Sequence, residues 1–316
     1  MTDYNHYTIA FYNIENLFDT VDDVHTNDDD FLPYSAKRWT DKRYQKKLRK
    51  LGQVISQIGN DDVDLPPVIV GLAEVENEKV VSDLIQSKYL KHYDYGIVHY
   101  DSSDERGIDV AFIYDKNRFK VLTSEPYTIH LENELGERDF TRDVLLVTGE
   151  LDGSLVHIIV NHWSSRREGV LETEYKRLAG AEVVNSIIAQ LQNTYSNPQV
   201  IVMGDFNDNP DNNSVLRIEQ TSSLYNPFKT LWTEERGSQA HYSEWNLFDQ
   251  ILFSVNFFDA NDSPLDFKKA NIFDSKFLTQ YHGKYKGEPF RTYVGKRYKG
   301  GYSDHFPVYI EVKQKS

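Results

Sequence analysis

The sequence predicts a layered α/β fold, and three observations lead there. Short β-branched apolar runs recur along the chain. Two stretches with helical apolar spacing interleave with them. No internal repeat or low-complexity linker divides the 316 residues. The runs at 8–12, 68–73, 110–114, 144–147, 156–160, 200–204 and 248–253 are bounded by turn residues, the pattern of buried strands. The stretch 42–58 sets Leu48, Leu51, Ile55 and Ile58 at helical spacing beneath a basic outer face. The stretch 173–192 does the same with Tyr175, Leu178, Val184, Ile187, Ile188 and Leu191, and Thr173 is placed to cap it. From 256 to 301 the chain reads as loop-rich. We expect one domain over 1–316, since this length suits a single large α/β unit.

Hydrophobic residues make up 39% and charged residues 27%, which favours a folded core over disorder. The formal net charge of -14 opposes a packaging or storage protein for nucleic acid, because the global field repels a polyanion. It does not oppose a phosphate-cleaving enzyme, since a bound metal ion inverts the local sign. Asp19, Asp22, Asp23, Asp28, Asp29 and Asp30 form an acidic stretch free of Lys and Arg. It reads as a solvated loop, with a secondary cation site as the alternative. With no cysteine, disulfides, thiolate metal sites and Cys nucleophiles are excluded. Residues 1–10 lack a signal pattern, and no apolar run reaches membrane-spanning length. The expectation is therefore a cytoplasmic protein with no membrane span, or a secreted or periplasmic one if a signal has been removed. A monomer is expected.

The apolar runs end in residues capable of chemistry: Asn13, Glu74, Asn161 with His162, and Asp205, while Asp249 opens another. One polar residue at a strand end is usually a turn former. Several ends bearing metal- or phosphate-capable groups predict a shared rim. Asp205 and Asn207 alternate and so face one way. The carboxylate can orient or activate water, and the amide can donate to a phosphate oxygen. His305 needs a carboxylate to fix its tautomer and stabilise its cation, and Asp249 is the candidate. Glu74 suits a hard cation such as Mg²⁺.

In chain order, Phe11-Tyr12-Asn13-Ile14-Glu15-Asn16, Gly71-Leu72-Ala73-Glu74-Val75, Val160-Asn161-His162-Trp163, Gly204-Asp205-Phe206-Asn207, Phe248-Asp249-Gln250-Ile251 and Ser303-Asp304-His305-Phe306-Pro307 resemble the motifs of the endonuclease/exonuclease/phosphatase superfamily, in a bacterial-type member. The resemblance implies the DNase I-like fold: a four-layer α/β sandwich of two facing mixed sheets flanked by helices. It implies Mg²⁺ or Mn²⁺ at Glu74, with Ca²⁺ also compatible, Asn13 close by and Asp304 as a second contributor. It implies that Asp205 orients or deprotonates water and that Asn207 holds the phosphate. His305, paired with Asp249, would stabilise the pentacovalent transition state or protonate a group on it. His162 would contact the phosphate from the other side, with Asn161 beside it. Arg142, Arg166 and Arg167 are candidate substrate ligands, because Arg forks suit phosphate oxygens; ordinary surface arginine is the competing reading. The Lys-, Arg- and Tyr-rich segment 284–299 reads equally as a substrate-facing or a solvated loop.

The expected activity is metal-dependent hydrolysis of a phosphodiester, in DNA, RNA or a smaller molecule. A phosphomonoesterase or phospholipase C-type enzyme is the alternative. Met203 before Gly204, and Asp208 and Asn209 after Asn207, depart from the run shared by inositol-phosphatase-like members. A catalytically inactive binding module predicts loss of Glu74, Asp205, Asn207, Asp249 or His305, and all are present.

Overall fold

Two parallel strand pairs, each needing a long crossover, set the architecture. The computed structural model describes residues 4–133, 135–259 and 263–315. Residues 1–3, 134, 260–262 and 316, which fall in the expected domain and partly in the expected loop-rich tail, lie outside the described residues. Two six-stranded sheets form from β1 (Tyr4–Leu17), β2 (Ile69–Val75), β3 (Tyr95–His99), β4 (Asp109–Asp115), β5 (Phe119–Tyr127), β6 (Val144–Leu151), β7 (Ser154–His162), β8 (Val200–Asp205), β9 (Leu224–Tyr225), β10 (Asp249–Ser254), β11 (Leu265–Ile272) and β12 (Val308–Lys315). The first sheet has the order β11-β12-β1-β2-β4-β3 and the second β9-β10-β8-β7-β6-β5. Only β1–β2 and β7–β8 are parallel; the other neighbours in the two sheets are antiparallel, so both sheets are mixed. Helix α1 (Asp41–Ile55) lies in the first crossover, and α3 (Glu174–Thr194) in the second. The shorter α2 (Glu78–Ile85) and α4 (Asn213–Ser222) follow β2 and β8.

One apolar cluster fills the space between the sheets and continues under α1 and α2, through Phe11, Leu72, Val160, Met203, Leu51 and Leu84. The sheets approach closely at Gly71, where a Cβ would lie 2.6 Å from Met203 Sδ and 3.2 Å from Val160 Cγ1. A second cluster packs Val184, Ile187 and Ile188 of α3 on Ile159 and Val202. Each such aliphatic side chain contributes about 1.5–3 kcal/mol of burial. The result is the expected sandwich.

Four local expectations change. The first helix spans Asp41–Ile55, so Ile58 falls beyond it; Lys42, Lys46 and Arg49 form the basic outer face, while Lys47 is only 2% exposed. Thr173 gives no side-chain cap; its hydroxyl donates to Gly169 O at 2.6 Å. The segment read as loop-rich contains β11, a half-buried edge strand whose Lys268 and Lys269 interrupt the apolar pattern. In the acidic stretch Asp19 and Asp28 are buried, and Asp19 N–H donates to Glu76 Oε2 at 2.6 Å. Burial, together with Asp19, Asp28 and Asp23, pushes the Glu76 carboxyl up to about 8. Among the described residues no helix is long and apolar enough to cross a membrane.

Candidate active site

Three neighbouring strand ends of the second sheet place His162, Asp205 and Asp249 in one row. Asp205 is in register with His162 on its parallel side and with Asp249 on its antiparallel side. The turn after β8 is tied down by Asn209, whose Oδ1 accepts Leu247 N–H at 2.8 Å, and by Gln250, whose amide donates to Asp208 O at 2.8 Å. Asn207 has a φ of 48°, a left-handed conformation that Asn tolerates better than most residues. Its N–H donates to Asp205 Oδ1 and its side-chain amide to Trp163 O, both at 2.9 Å. The Asn207 N–H thereby fixes Asp205 Oδ1 and leaves Oδ2 for other partners.

Around that oxygen the remaining groups converge. Asn13 Nδ2 donates to it at 2.9 Å, joining the two sheets across their rims. His162 Nε2 lies at 3.7 Å and His305 Nε2 at 4.0 Å. His305 Nδ1 and Asp249 Oδ2 are 2.6 Å apart, a hydrogen-bonded carboxylate–imidazole pair. Ser238 braces it, accepting Asp249 N–H at 3.1 Å and Phe306 N–H through its carbonyl at 2.7 Å. Burial opposes a charge on His305, yet Asp249 first, then Asp205 and Asp304, hold its proton well above the ordinary value. Burial, followed by the charges of Arg142, Arg106, His305 and Arg167, drives His162 well below its ordinary value and keeps it neutral. Burial also raises Asp205 to about 6; His305 opposes the rise and Asp249 adds to it. One rim thus presents a cationic and a neutral imidazole to a carboxylate that ionises near neutrality, an arrangement suited to acid–base work.

The rim of the first sheet supplies oxygens. Glu15, Asn16 and Glu74 have φ values of 53°, 51° and 65° beside an irregularity in the β1–β2 ladder. Backbone held in this sparsely occupied region clusters at functional sites. Asn16 N–H donates to Glu74 Oε2 at 2.8 Å. Behind it, Glu15 accepts Thr292 N–H at 2.6 Å, and Lys47 Nζ lies 3.8 Å from Glu15 Oε2. Asp304 pairs with Arg291. Burial raises Glu15 to about 7, helped by Asp304 and opposed by Lys47. Burial works against ionised Asp304, but His305, Arg291 and Lys47 outweigh it and lower its value. The fields of Glu15, Asp304 and Glu74 all act on the one buried Lys47 ammonium. This gathering of anionic oxygen fits a hard divalent ion, with Glu74 and Asp304 half-buried and Glu15 buried behind them. Ligand-capable atoms of Asp205, Asp249 and His305 also lie within 4.8 Å of one another, as do those of His99, Asp101 and Asp109. In the first group the short His305–Asp249 contact is a hydrogen bond between two partners, which argues for a dyad.

The proposed substrate ligands divide. Asn161 is fully buried, with its amide directed to Met203 O at 3.4 Å and its Oδ1 accepting Trp163 Nε1–H at 3.2 Å. Arg142 is 7% exposed and engages Asp104 at 2.9 Å, His162 O and Trp163 O. Arg166 is bound to Asp208, Asn207 O and Asn212, and Arg177 grips Asp208 from behind. These three side chains are thus committed to scaffolding partners within the protein. Arg167 is exposed, and its charge reaches His162. The sequence reading passed over Glu15, Lys47, Arg291 and Arg106. Arg106 Nη2 donates to Asn16 Oδ1 at 2.6 Å, and its charge also acts on His162.

The fold is a two-sheet α/β sandwich whose strand ends carry this rim. A model of the Endonuclease/Exonuclease/phosphatase family matches residues 8–314, and the chain belongs to that family. Among solved structures, it is similar to an endonuclease/exonuclease/phosphatase family protein from Bacteroides thetaiotaomicron, at 16% identity over 99% of both chains with a TM-score of 0.63. It is similar to the human Nocturnin catalytic domain with bound sulfate anion, at 15% identity over 98% of this chain and 97% of that one, TM-score 0.58. It is also similar to D. rerio TDP2 complexed with single strand DNA product, at 15% identity over 97% and 98%, TM-score 0.57. No curated protein matches the sequence.

Proposed function

We propose that this chain is a divalent-metal-dependent phosphodiesterase or nuclease that hydrolyses its ester by in-line attack of water, acting as one domain over 1–316. The observation on which this rests is the convergence of Asn13, His162 and the His305–Asp249 dyad on one oxygen of Asp205. Asp205, ionised above about 6, takes up or orients the proton of the attacking water. Asn13 and the Asn207 backbone fix the two carboxylate oxygens so that little reorganisation accompanies attack. Negative charge that develops on the phosphoryl oxygens meets the His305 cation, which Asp249 holds charged, and the N–H of neutral His162. Glu74, with Asn13 close by and Asp304 contributing, would hold Mg²⁺ or Mn²⁺, which when bound polarises the phosphoryl group and offsets charge in the transition state. Arg167 and Arg106 are the arginines we assign to substrate phosphates.

Two proteins of this fold, human Nocturnin with a sulfate anion and D. rerio TDP2 with a single strand DNA product, support a phosphate-directed reading. The direct test is Asp205→Ala assayed on a small diester, bis(p-nitrophenyl) phosphate. The proposal expects hydrolysis to collapse while the circular dichroism spectrum is kept. A folded variant with undiminished turnover removes Asp205 from the mechanism.

A further inference from the structure

The segments 37–50 and 284–299 hold 14 of the chain's 35 Lys and Arg residues and only two of its 49 acidic residues. In a chain of net charge -14, these two short stretches are strongly cationic and the rest bears the whole acidic excess. The fold joins them. The Arg43 guanidinium lies 4.3 Å from the Tyr298 ring centroid, and Lys46 Nζ 5.7 Å from it. Lys50 Nζ lies 4.1 Å from the Tyr302 ring. Lys47 Nζ donates to Thr292 Oγ1 and to Tyr302 O, both at 2.6 Å. The inner edge of this surface is bonded to the site itself, through Arg291 to Asp304 and through Thr292 N–H to Glu15.

Most of these cations are unneutralised. Among the described residues Lys42, Lys46, Arg49, Lys50, Arg297 and Lys299 have no carboxylate partner, while cations elsewhere on the molecule, such as Lys116, Lys176 and Arg236, do. Burial first, then the charges of Lys46, Arg49 and Lys47, pushes the Lys50 ammonium down to about 8. A protein that only needed solubility would gain little from concentrating like charges against its own net sign. Exposed rings accompany them: Tyr281 is 57% and Tyr285 39% exposed. Clustered cations with aromatic faces match one ligand chemistry, a chain of phosphates bearing stackable bases.

We propose that the outer face of α1 and the segment 284–299 form a wall that guides a nucleic-acid strand to Asp205 and His305, making the substrate a polynucleotide. The placement at the catalytic rim rests on the reading under Proposed function; the binding surface itself does not. The test compares wild type with the triple variant K46A/R297A/K299A, whose residues are exposed and make no catalytic contact. Fluorescence anisotropy with labelled single-stranded DNA and RNA oligonucleotides, in EDTA so that the strand stays intact, is read against salt. Turnover of bis(p-nitrophenyl) phosphate with Mn²⁺ is measured in parallel. The wall predicts that strand affinity falls about tenfold or more, and that the slope of log K against log salt flattens by about 2, near 0.7 for each of three lost contacts. Small-diester turnover stays as in wild type. Equal affinity and slope in the two proteins overturns the proposal, as does wild-type binding to phosphatidylglycerol vesicles with none to oligonucleotides. Strand binding lost in the variant, in a protein whose wild type hydrolyses no diester, upholds the wall and overturns the catalytic reading instead.

Discussion

Asp249→Asn isolates the His305 cation with little change of shape. Asp249 is fully buried, and its backbone bond to Ser238 survives the substitution. What disappears is the carboxylate charge 2.6 Å from His305 Nδ1, the largest influence raising that histidine against the cost of burial. A hydrogen bond to a charged group contributes about 1.5–3 kcal/mol. At about 1.4 kcal/mol per factor of ten, that alone slows the reaction roughly 10- to 150-fold. Loss of a correctly protonated acid extends the range to about 10²–10⁴ in kcat, with KM little changed. The assay is bis(p-nitrophenyl) phosphate hydrolysis across the pH range. Wild type should stay active above neutral pH, because His305 keeps its proton; the variant should lose activity as pH rises through neutrality. Stability carries the same signature. A histidine whose folded value is raised stabilises fully below its ordinary 6.5 and loses that contribution as pH rises through the folded value. The Tm gap between wild type and variant should therefore be widest in acid and narrow in alkali. Wild-type kcat and an unaltered pH profile in the variant would refute a role for the His305 charge.

Other predictions address separate parts of the site. Because Asp205 ionises near 6, wild-type kcat should fall as pH drops through about that value, and Asp205→Asn should show a low residual rate without that limb. Glu74→Gln should weaken Mn²⁺ binding, measured by titration calorimetry, by at least the roughly 10–100-fold that losing an outer partner costs; unchanged affinity removes Glu74 as a ligand. Arg142→Ala leaves Asp104 buried without its partner and should cost about 3–5 kcal/mol in denaturant unfolding. Arg167→Ala, at an exposed position, should change stability by less than about 0.5 kcal/mol yet raise KM.

The strand ends were legible because a buried strand leaves a local trace: a β-branched run, then a residue that does not belong in a core. Asn13, Glu74, His162, Asp205 and Asp249 all end or begin such runs; the structure brings Asn13 and His162 to Asp205 Oδ2 and Asp249 to it through His305, while Glu74 follows Ala73, the register partner of Asn13, on the adjoining rim. Helices α1 and α3 were legible from their apolar spacing, and they lie in the crossovers that the two parallel pairs require. What sequence could not show is pairing at long range. Glu15 meets Thr292, and Lys47 meets Tyr302, across more than two hundred residues of chain. Lys47 did leave a faint signal, lying three residues after Tyr44 and four before Leu51 on the apolar stripe of α1. The arginines misled for a different reason: a guanidinium that braces a carbonyl and one that awaits a phosphate look identical in sequence. Only the partners of Arg142 and Arg166, Asp104 and Asp208, tell them from Arg167. β11 was missed because an edge strand needs only half its residues apolar.

The most direct measurement is turnover of bis(p-nitrophenyl) phosphate and of p-nitrophenyl phosphate by the purified chain, with Mg²⁺ or Mn²⁺ and again with EDTA. Metal-dependent attack of water on a diester, with Asp205 as base and His305 as cation, predicts that the diester is hydrolysed with metal, that EDTA abolishes the reaction, and that the monoester is the poorer substrate. Diester hydrolysis that ignores EDTA, or cleavage of the monoester alone, would contradict it.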